Sequence, residues 1–198
     1  MTTQSLKGRK VAILATDGFE QSELEKPKKA LEDAGAETKV VAPKDGKIKG
    51  WRDKDWGDKV SVDLALDEAD ASAFDALLMP GGVMNPDSLR LNDRAVEFIK
   101  HFTESGKPIA AICHGPWPLI ETGFVKGKTM TSWPSLKTDL TNAGAKWVDA
   151  EVVVDHGLVT SRKPDDIPAF NRKMIQEFAQ AAQGAVAPET FVGGFKYW

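Results

Sequence analysis

The stretch "KVAILATDGFEQSELEKPKKALEDAGAETKVVAP" (residues 10–43) decides the fold. "KVAILAT" (10–16) is a short β-branched apolar run and reads as a buried strand. In "QSELEKPKKALEDAG" (21–35), Leu24 and Leu31 stand two helical turns apart and Gly35 supplies a stop, so the segment reads as a helix. Pro27 lies early in it and predicts a kink. "AETKVVAP" (36–43) is a second strand. Strand, helix and strand in this space make a βαβ unit with a parallel strand pair.

The alternation continues along the chain. "FDALLMP" (74–80) is a strand that ends in the turn "PGG", and 87–106 is one helix with Leu91, Val96, Ile99 and Phe102 as its apolar stripe. "KPIAAIC" (107–113) is a strand, followed by short helices over 116–123 and 134–144. Residues 150–162 hold two β runs around a "DHG" turn, and 165–183 form the last long helix. This rhythm predicts an α/β fold, a flavodoxin-like three-layer sandwich around a mostly parallel sheet. Two pieces fall outside it: a charged loop or hairpin at 47–60 with Trp51 and Trp56, and a tail at 184–198 with Phe191, Phe195, Tyr197 and Trp198. Exposed aromatics cost solubility, so both pieces are expected to pack on something, a second copy of the chain included.

Composition narrows the function classes. The 198 residues are 41% hydrophobic and 28% charged, enough for one domain with a core. A net charge of −3 with dispersed Lys and Arg argues against nucleic-acid binding. No apolar run approaches a membrane span, and "MTTQSLKGRK" lacks a signal core, so the expected location is cytoplasmic. A single cysteine excludes an internal disulfide and a multi-cysteine metal site. No cofactor and no metal are expected.

Sites in open α/β sheets lie beyond the carboxyl ends of the strands. Three such ends carry polar chemistry: "TDGFE" (16–20), "PGG" (80–82) and "CHGP" (113–116). Cys113 ends a strand and precedes a helix, the arrangement of a nucleophile elbow, where the helix N-terminus would favour a thiolate. His114 is either a base for it, which needs irregular backbone, or a lender of its backbone N–H. The N–H of Gly82 with that of His114 would make a two-donor oxyanion hole. Glu20, at the start of the first helix, can face the elbow and hold a proton for the thiol. His101 reads as a surface residue, His156 as a solvent-facing turn residue, and Trp117 as packing.

Taken together, "KVAILATDGFEQSEL", "FDALLMPGG", "AAICHGPWPLIETG", "KTMTSWPSLKTDLTNAGAKWVDAEVVVD" and "LVTSRKPDD" resemble the PfpI family of intracellular proteases and stress proteins. Its superfamily also holds the parkinsonism-associated deglycase and the class I glutamine amidotransferases. The resemblance implies a single PfpI-like domain over 1–198, Cys113 as nucleophile, His114 as the histidine that follows it, and Glu20 as the carboxyl that hydrogen-bonds it. It implies Gly82 and His114 as oxyanion donors, and a homodimer or higher oligomer. In oligomeric peptidases of the family a carboxylate of a neighbouring subunit completes a triad. Asp87 is the nearest match, one methylene shorter and on a longer loop. A glutaminase is disfavoured, because the late His156 has no carboxylate two residues on. The resemblance leaves three functions: a cysteine hydrolase of peptides or small amides, a glyoxalase or deglycase acting on methylglyoxal or its adducts, and a redox-sensing stress protein or holdase that uses oxidation of Cys113.

Overall fold

In a computed structural model that describes residues 5–181 and 190–194, alternation of buried side chains sets the architecture. Strand β1 (Lys10–Leu14) sends Val11 and Ile13 into one apolar cluster and Ala12 and Leu14 into another, so both of its faces are covered. After it come β2 (Phe19–Glu20), α1 (Gln21–Asp33) and β3 (Glu37–Ala42), and β3 pairs with β1 in parallel. The βαβ unit read from 10–43 is therefore present. Helix α1 runs on through Pro27, which is buried, as one segment.

Next, β4 (Lys47–Arg52) and β5 (Asp55–Ser61) form an antiparallel hairpin, and β4 also pairs with β2. The chain continues through β6 (Leu64–Ala65), β7 (Ala76–Met79), α2 (Met84–Arg90), α3 (Asp93–Ser105) and β8 (Ile109–Ile112). Then come β9 (Thr129–Met130), α4 (Lys137–Asn142), β10 (Lys146–Trp147), β11 (Val152–Asp155), β12 (Leu158–Ser161), α5 (Ile167–Ala181) and β13 (Phe191–Gly193). The main sheet has the order β13-β11-β12-β8-β7-β1-β3-β6. Its pairings are parallel except those of β11, so the predicted mostly parallel α/β sandwich is the observed one.

Leu24 and Leu31 of α1 and Phe170, Met174 and Phe178 of α5 cover one face. Ala95, Phe98, Ile99 and Phe102 of α3, with Leu140 of α4, cover the other. The single helix expected over 87–106 is two helices. Asn92 interrupts it by capping α3, its side chain accepting the Ala95 N–H at 3.0 Å, and Leu91 is left 81% exposed at the break. Of the aromatic tail, only Phe191 falls within the described residues. It lies in β13 against β11, beneath the Lys173 ammonium at 3.8 Å. Phe195, Tyr197 and Trp198 lie outside them. No helix among the described residues is long and apolar enough to cross a membrane.

Candidate active site

Strand β8 ends at Ile112, and Cys113 follows with φ 61°, a left-handed conformation that costs a non-glycine residue roughly 1–3 kcal/mol. One neighbouring strand and one loop hold it there. The Cys113 N–H donates to the Ser161 carbonyl at the end of β12, and the Cys113 carbonyl accepts the Trp133 N–H, both at 2.9 Å. The Gly115 N–H closes the turn onto Ile112 O at 2.8 Å. A short 3₁₀ helix, Trp117–Thr122, comes next. The helix N-terminus expected to favour a thiolate is thus six residues of 3₁₀ structure. The local donors on the sulfur are instead the backbone N–H groups of His114 and Gly82.

Those donors stand where they do because the "PGG" loop is pinned. Asn85 is fully buried; its amide donates to Pro80 O and Gly81 O at 3.0 Å and accepts the Thr16 N–H at 2.7 Å. Gly81 lies so near the elbow that a Cβ there would fall 2.5 Å from Glu23 Oε2 and 2.7 Å from Cys113 Cβ. Glycine is the residue that permits this approach.

The carboxyl that meets the thiol is that of Glu23. Glu23 is fully buried in α1, accepts the Gly81 N–H on Oε2 at 3.0 Å, and hydrogen-bonds Cys113. Its Oε1 is buried without a partner. Burial first, and then the charge of Glu20, push its pKa from 4.5 to about 8, so the carboxyl is mainly protonated at neutral pH. Glu20, the residue expected in this role, sits one turn away at the N-cap of α1. It is half-buried, accepts the Ser22 hydroxyl at 3.1 Å, and lines the mouth of the site. Glu20 is the N-cap, with extended backbone at φ −65° and ψ 117°, so its side chain leaves the helix face, whereas Glu23 lies within α1 and meets the sulfur.

The Cys113 thiol itself is pushed up, by burial first and by the Glu23 charge second, against the pull of the two N–H donors. His114 is buried, with Nδ1 3.3 Å from Cys113 Sγ and Nε2 3.2 Å from Ser135 Oγ. Its ring stacks on Trp133, with centroids 5.9 Å apart at 23°. Burial lowers its pKa from 6.5 to about 4, which keeps it neutral at physiological pH. Asp87 does not meet His114 within the chain; it stands exposed in the first turn of α2 and outside the cavity lining. Ser135 and Glu23 were missed by the sequence reading. Glu23 had one signal, a place beside Leu24 and one turn before Pro27 on the buried side of α1. Ser135 lies on a connecting segment and had none.

These groups line a cavity of about 430 Å³ closed on one side by the β4–β5 hairpin, which contributes Trp51 and Asp53. Gln21 ties the hairpin to α1, donating to Asp58 Oδ2 at 2.7 Å and accepting the Asp58 N–H at 2.9 Å. His156 is exposed at the β11–β12 turn and pairs with Asp155, as its turn position predicted. His101 is half-buried, with its ring edge-on to Phe102 at 5.8 Å. Trp117 packs beneath Arg90 and donates to Asp139 at 3.0 Å.

A strand-end cysteine in a left-handed turn, with a buried carboxyl beneath it, is accompanied by a family match over residues 9–177. The chain belongs to the DJ-1/PfpI family. It is similar to YraA of Bacillus subtilis, named provisionally as a cysteine protease, at 50% identity over 168 residues, 84% of this chain and 96% of that protein. It is also similar to general stress protein 18 of the same organism, at 48% identity, covering 85% of this chain and 96% of the relative. Deglycase TK1284 of Thermococcus kodakarensis is 47% identical, covering 84% of this chain and 98% of the relative. Among solved structures, the DJ-1/PfpI chain superposes on a two-domain protein of Anabaena variabilis with DJ-1/ThiJ/PfpI-like and ferritin-like domains. The TM-score is 0.80 at 38% identity, with 89% of this chain and 48% of that chain covered. This chain thus spans about half of that protein. Drosophila melanogaster DJ-1beta matches with a TM-score of 0.76 at 28% identity, covering 89% of this chain and 96% of that one.

Proposed function

We propose that the protein is a stress-protective enzyme that adds Cys113 to small reactive carbonyl compounds such as methylglyoxal or their adducts, with Glu23 as the proton carrier. The observation that carries this is the Glu23 carboxyl, fully buried, hydrogen-bonded to the thiol and holding its proton up to about pH 8. In the reaction the Cys113 thiol gives its proton to water as the sulfur attacks the aldehyde carbon, so the S–H bond breaks and a C–S bond forms. The aldehyde oxygen takes a proton from Glu23, giving a hemithioacetal. The Glu23 carboxylate then removes the proton from that carbon and returns it to the adjacent one, while the hydroxyl proton passes through water to the neighbouring ketone oxygen, which converts the adduct to a lactoyl thioester. Water releases lactate and regenerates the thiol. During addition the N–H groups of Gly82 and His114, directed at the sulfur, are available to the developing oxyanion. A neutral His114 with a pKa near 4 is a poor base for a thiol, which supports routing the proton through Glu23. The names of the deglycase and stress-protein relatives support the same reading. A thiol that is buried and shifted upward favours an enclosed reaction over open redox sensing.

The test is lactate release from methylglyoxal by the pure protein. Cys113→Ser should abolish it and Glu23→Gln should lower it by at least about 100-fold. Lactate formed at wild-type rate by Glu23→Gln would overturn the proton-carrier role.

A further inference from the structure

The His114 ring is engaged at both ends, by the Cys113 sulfur 3.3 Å from Nδ1 and by the Ser135 hydroxyl 3.2 Å from Nε2. Its plane is fixed by stacking on Trp133 at 23°, with Trp117 tilted against it at 6.3 Å between centroids. Ser135 reaches the ring on a tied loop. Trp147 Nε1 donates to Ser132 Oγ, and Ser132 Oγ donates to Trp133 O, both at 2.9 Å. The Trp133 N–H donates to Cys113 O at 2.9 Å, and the Thr131 N–H to Thr160 Oγ1 at 3.0 Å. Leu136, next in the chain, is buried in the core. Ser135 itself is exposed, and its hydroxyl proton is committed to no other acceptor among the described residues.

A neutral imidazole carries one N–H, so one ring nitrogen donates and the other accepts, and the partner of one end decides the other. His114 is neutral, and burial alone lowers its pKa. A carboxylate at Nε2 would take the ring proton and leave Nδ1 an acceptor, the arrangement of a general base. Here a hydroxyl stands at Nε2, and a hydroxyl can donate. The other groups at the sulfur are donors as well: the backbone N–H groups of His114 and Gly82, and the protonated Glu23 carboxyl. Glu23 of α1 is the titratable group that bears on the sulfur, and Glu20 bears on Glu23. We infer that Ser135 is a positioning residue: its hydroxyl donates to Nε2, holds His114 as the Nδ1–H tautomer, and makes the imidazole a hydrogen-bond donor to the sulfur instead of a base for its proton. This rests on the reading of Cys113 as the nucleophile. As the S–H bond breaks and the thiol proton goes to water, Nδ1–H steadies the negative sulfur and stays on the ring.

Two measurements test this, and neither needs lactate. In protein labelled with heavy-nitrogen histidine, the ring nitrogen shifts read the tautomer directly. The chain has three histidines, so His101→Gln/His156→Gln leaves His114 alone in the spectrum. That protein should show a protonated Nδ1 and a bare Nε2, and adding Ser135→Ala should reverse the two. A proton on Nε2 before that change, or one that stays on Nδ1 after it, overturns the inference. The first of these spectra decides even where a Ser135 variant fails to fold. The second measurement is alkylation of Cys113 by iodoacetamide, in which the sulfur bonds the methylene carbon, iodide leaves and the thiol proton goes to water. Rates are read by intact mass, with Cys113→Ser as the blank. Near neutral pH, Ser135→Ala should react about tenfold more slowly than wild type, having lost one charge-assisted hydrogen bond to the thiolate. Ser135→Thr keeps the hydroxyl and should restore both tautomer and rate. Equal rates in wild type and Ser135→Ala, or a Ser135→Thr protein that behaves like Ser135→Ala, count against the inference. Cys113 left unmodified in the folded wild-type protein overturns the nucleophile reading and this inference together. Absence of lactate with the tautomer and the rate difference intact overturns only the proposed reaction.

Discussion

Two turns at opposite ends of neighbouring strands use the same backbone device for opposite purposes. Cys113, at the carboxyl end of β8, and His156, between β11 and β12, both adopt positive φ, 61° and 49°. At the His156 turn every charge is matched. Asp155 is paired with the His156 ring, accepts the Thr129 N–H at 2.6 Å and feels Lys128, and these partners outweigh its burial and hold its carboxyl below the usual range. At the Cys113 turn burial dominates. It raises the thiol, raises Glu23 to about 8 and lowers His114 to about 4, so all three favour their neutral forms. The first turn is a stable corner. The second holds strain and uncompensated desolvation around the Cys113 thiol, the condition in which a proton can be exchanged at modest cost.

The comparison breaks most visibly at the glycine beside each turn. Gly81→Ala puts a methyl between Glu23 and Cys113 and should lower lactate formation by about 100-fold or more, through misplacement of the reacting groups. Gly157→Ala meets nothing nearer than Pro108 Cα at 3.8 Å. Its cost is the left-handed backbone alone, roughly 1–2 kcal/mol in denaturant titration, with activity retained.

Titration is the next way to sharpen it. The folded chain keeps the Glu23 proton to about pH 8, whereas the unfolded chain releases it near 4.5. The unfolded state therefore binds fewer protons across that window, and stability contributed by this group falls as pH rises from about 4.5 to about 8. Glu23→Gln should flatten the fall and show a higher Tm than wild type at pH 8, while losing activity. In the wild-type protein, the proposed lactate formation should decline as pH rises through about 8. A pH-independent Tm difference between the two proteins would contradict the buried-proton account. His114 has the opposite sign: folded near 4 against 6.5 unfolded, its contribution is lost as pH falls from 6.5 toward 4.

The smallest effect belongs to the paired corner. Asp155→Ala strands the Thr129 N–H and should cost about 1–3 kcal/mol near neutral pH with kcat unchanged. Because the Asp155 pKa is depressed, this contribution is present at neutral pH and disappears as pH falls below the ordinary carboxylate value of 3.8. His156→Ala should leave lactate formation at the wild-type rate, which an assay beside Gly81→Ala would establish directly.

The sequence by itself determined the α/β alternation. Strand and helix periodicities are local properties, and strands buried on both faces leave continuous apolar runs such as "KVAIL" and "IAAI". It also placed Cys113, Gly82 and Glu20 at strand ends and marked 47–60 as a charged loop or hairpin outside the alternation, because Gly, Pro and an apolar run that stops are visible one residue at a time. The break at Asn92 was harder to see, since a cap within an amphipathic stretch competes with helix continuation and the Asn side chain decides between them. Only the tertiary structure chose Glu23 over Glu20. Both are carboxylates at the start of one helix, and which of them meets the sulfur depends on how α1 rotates onto a sheet edge built from distant segments. The same holds for Ser135 at His114 and for Asp53 at the cavity mouth: each arrives from another part of the chain. Above all, the protonation that gives the site its chemistry is a consequence of burial, and burial is a property of the assembled fold, not of any residue in it.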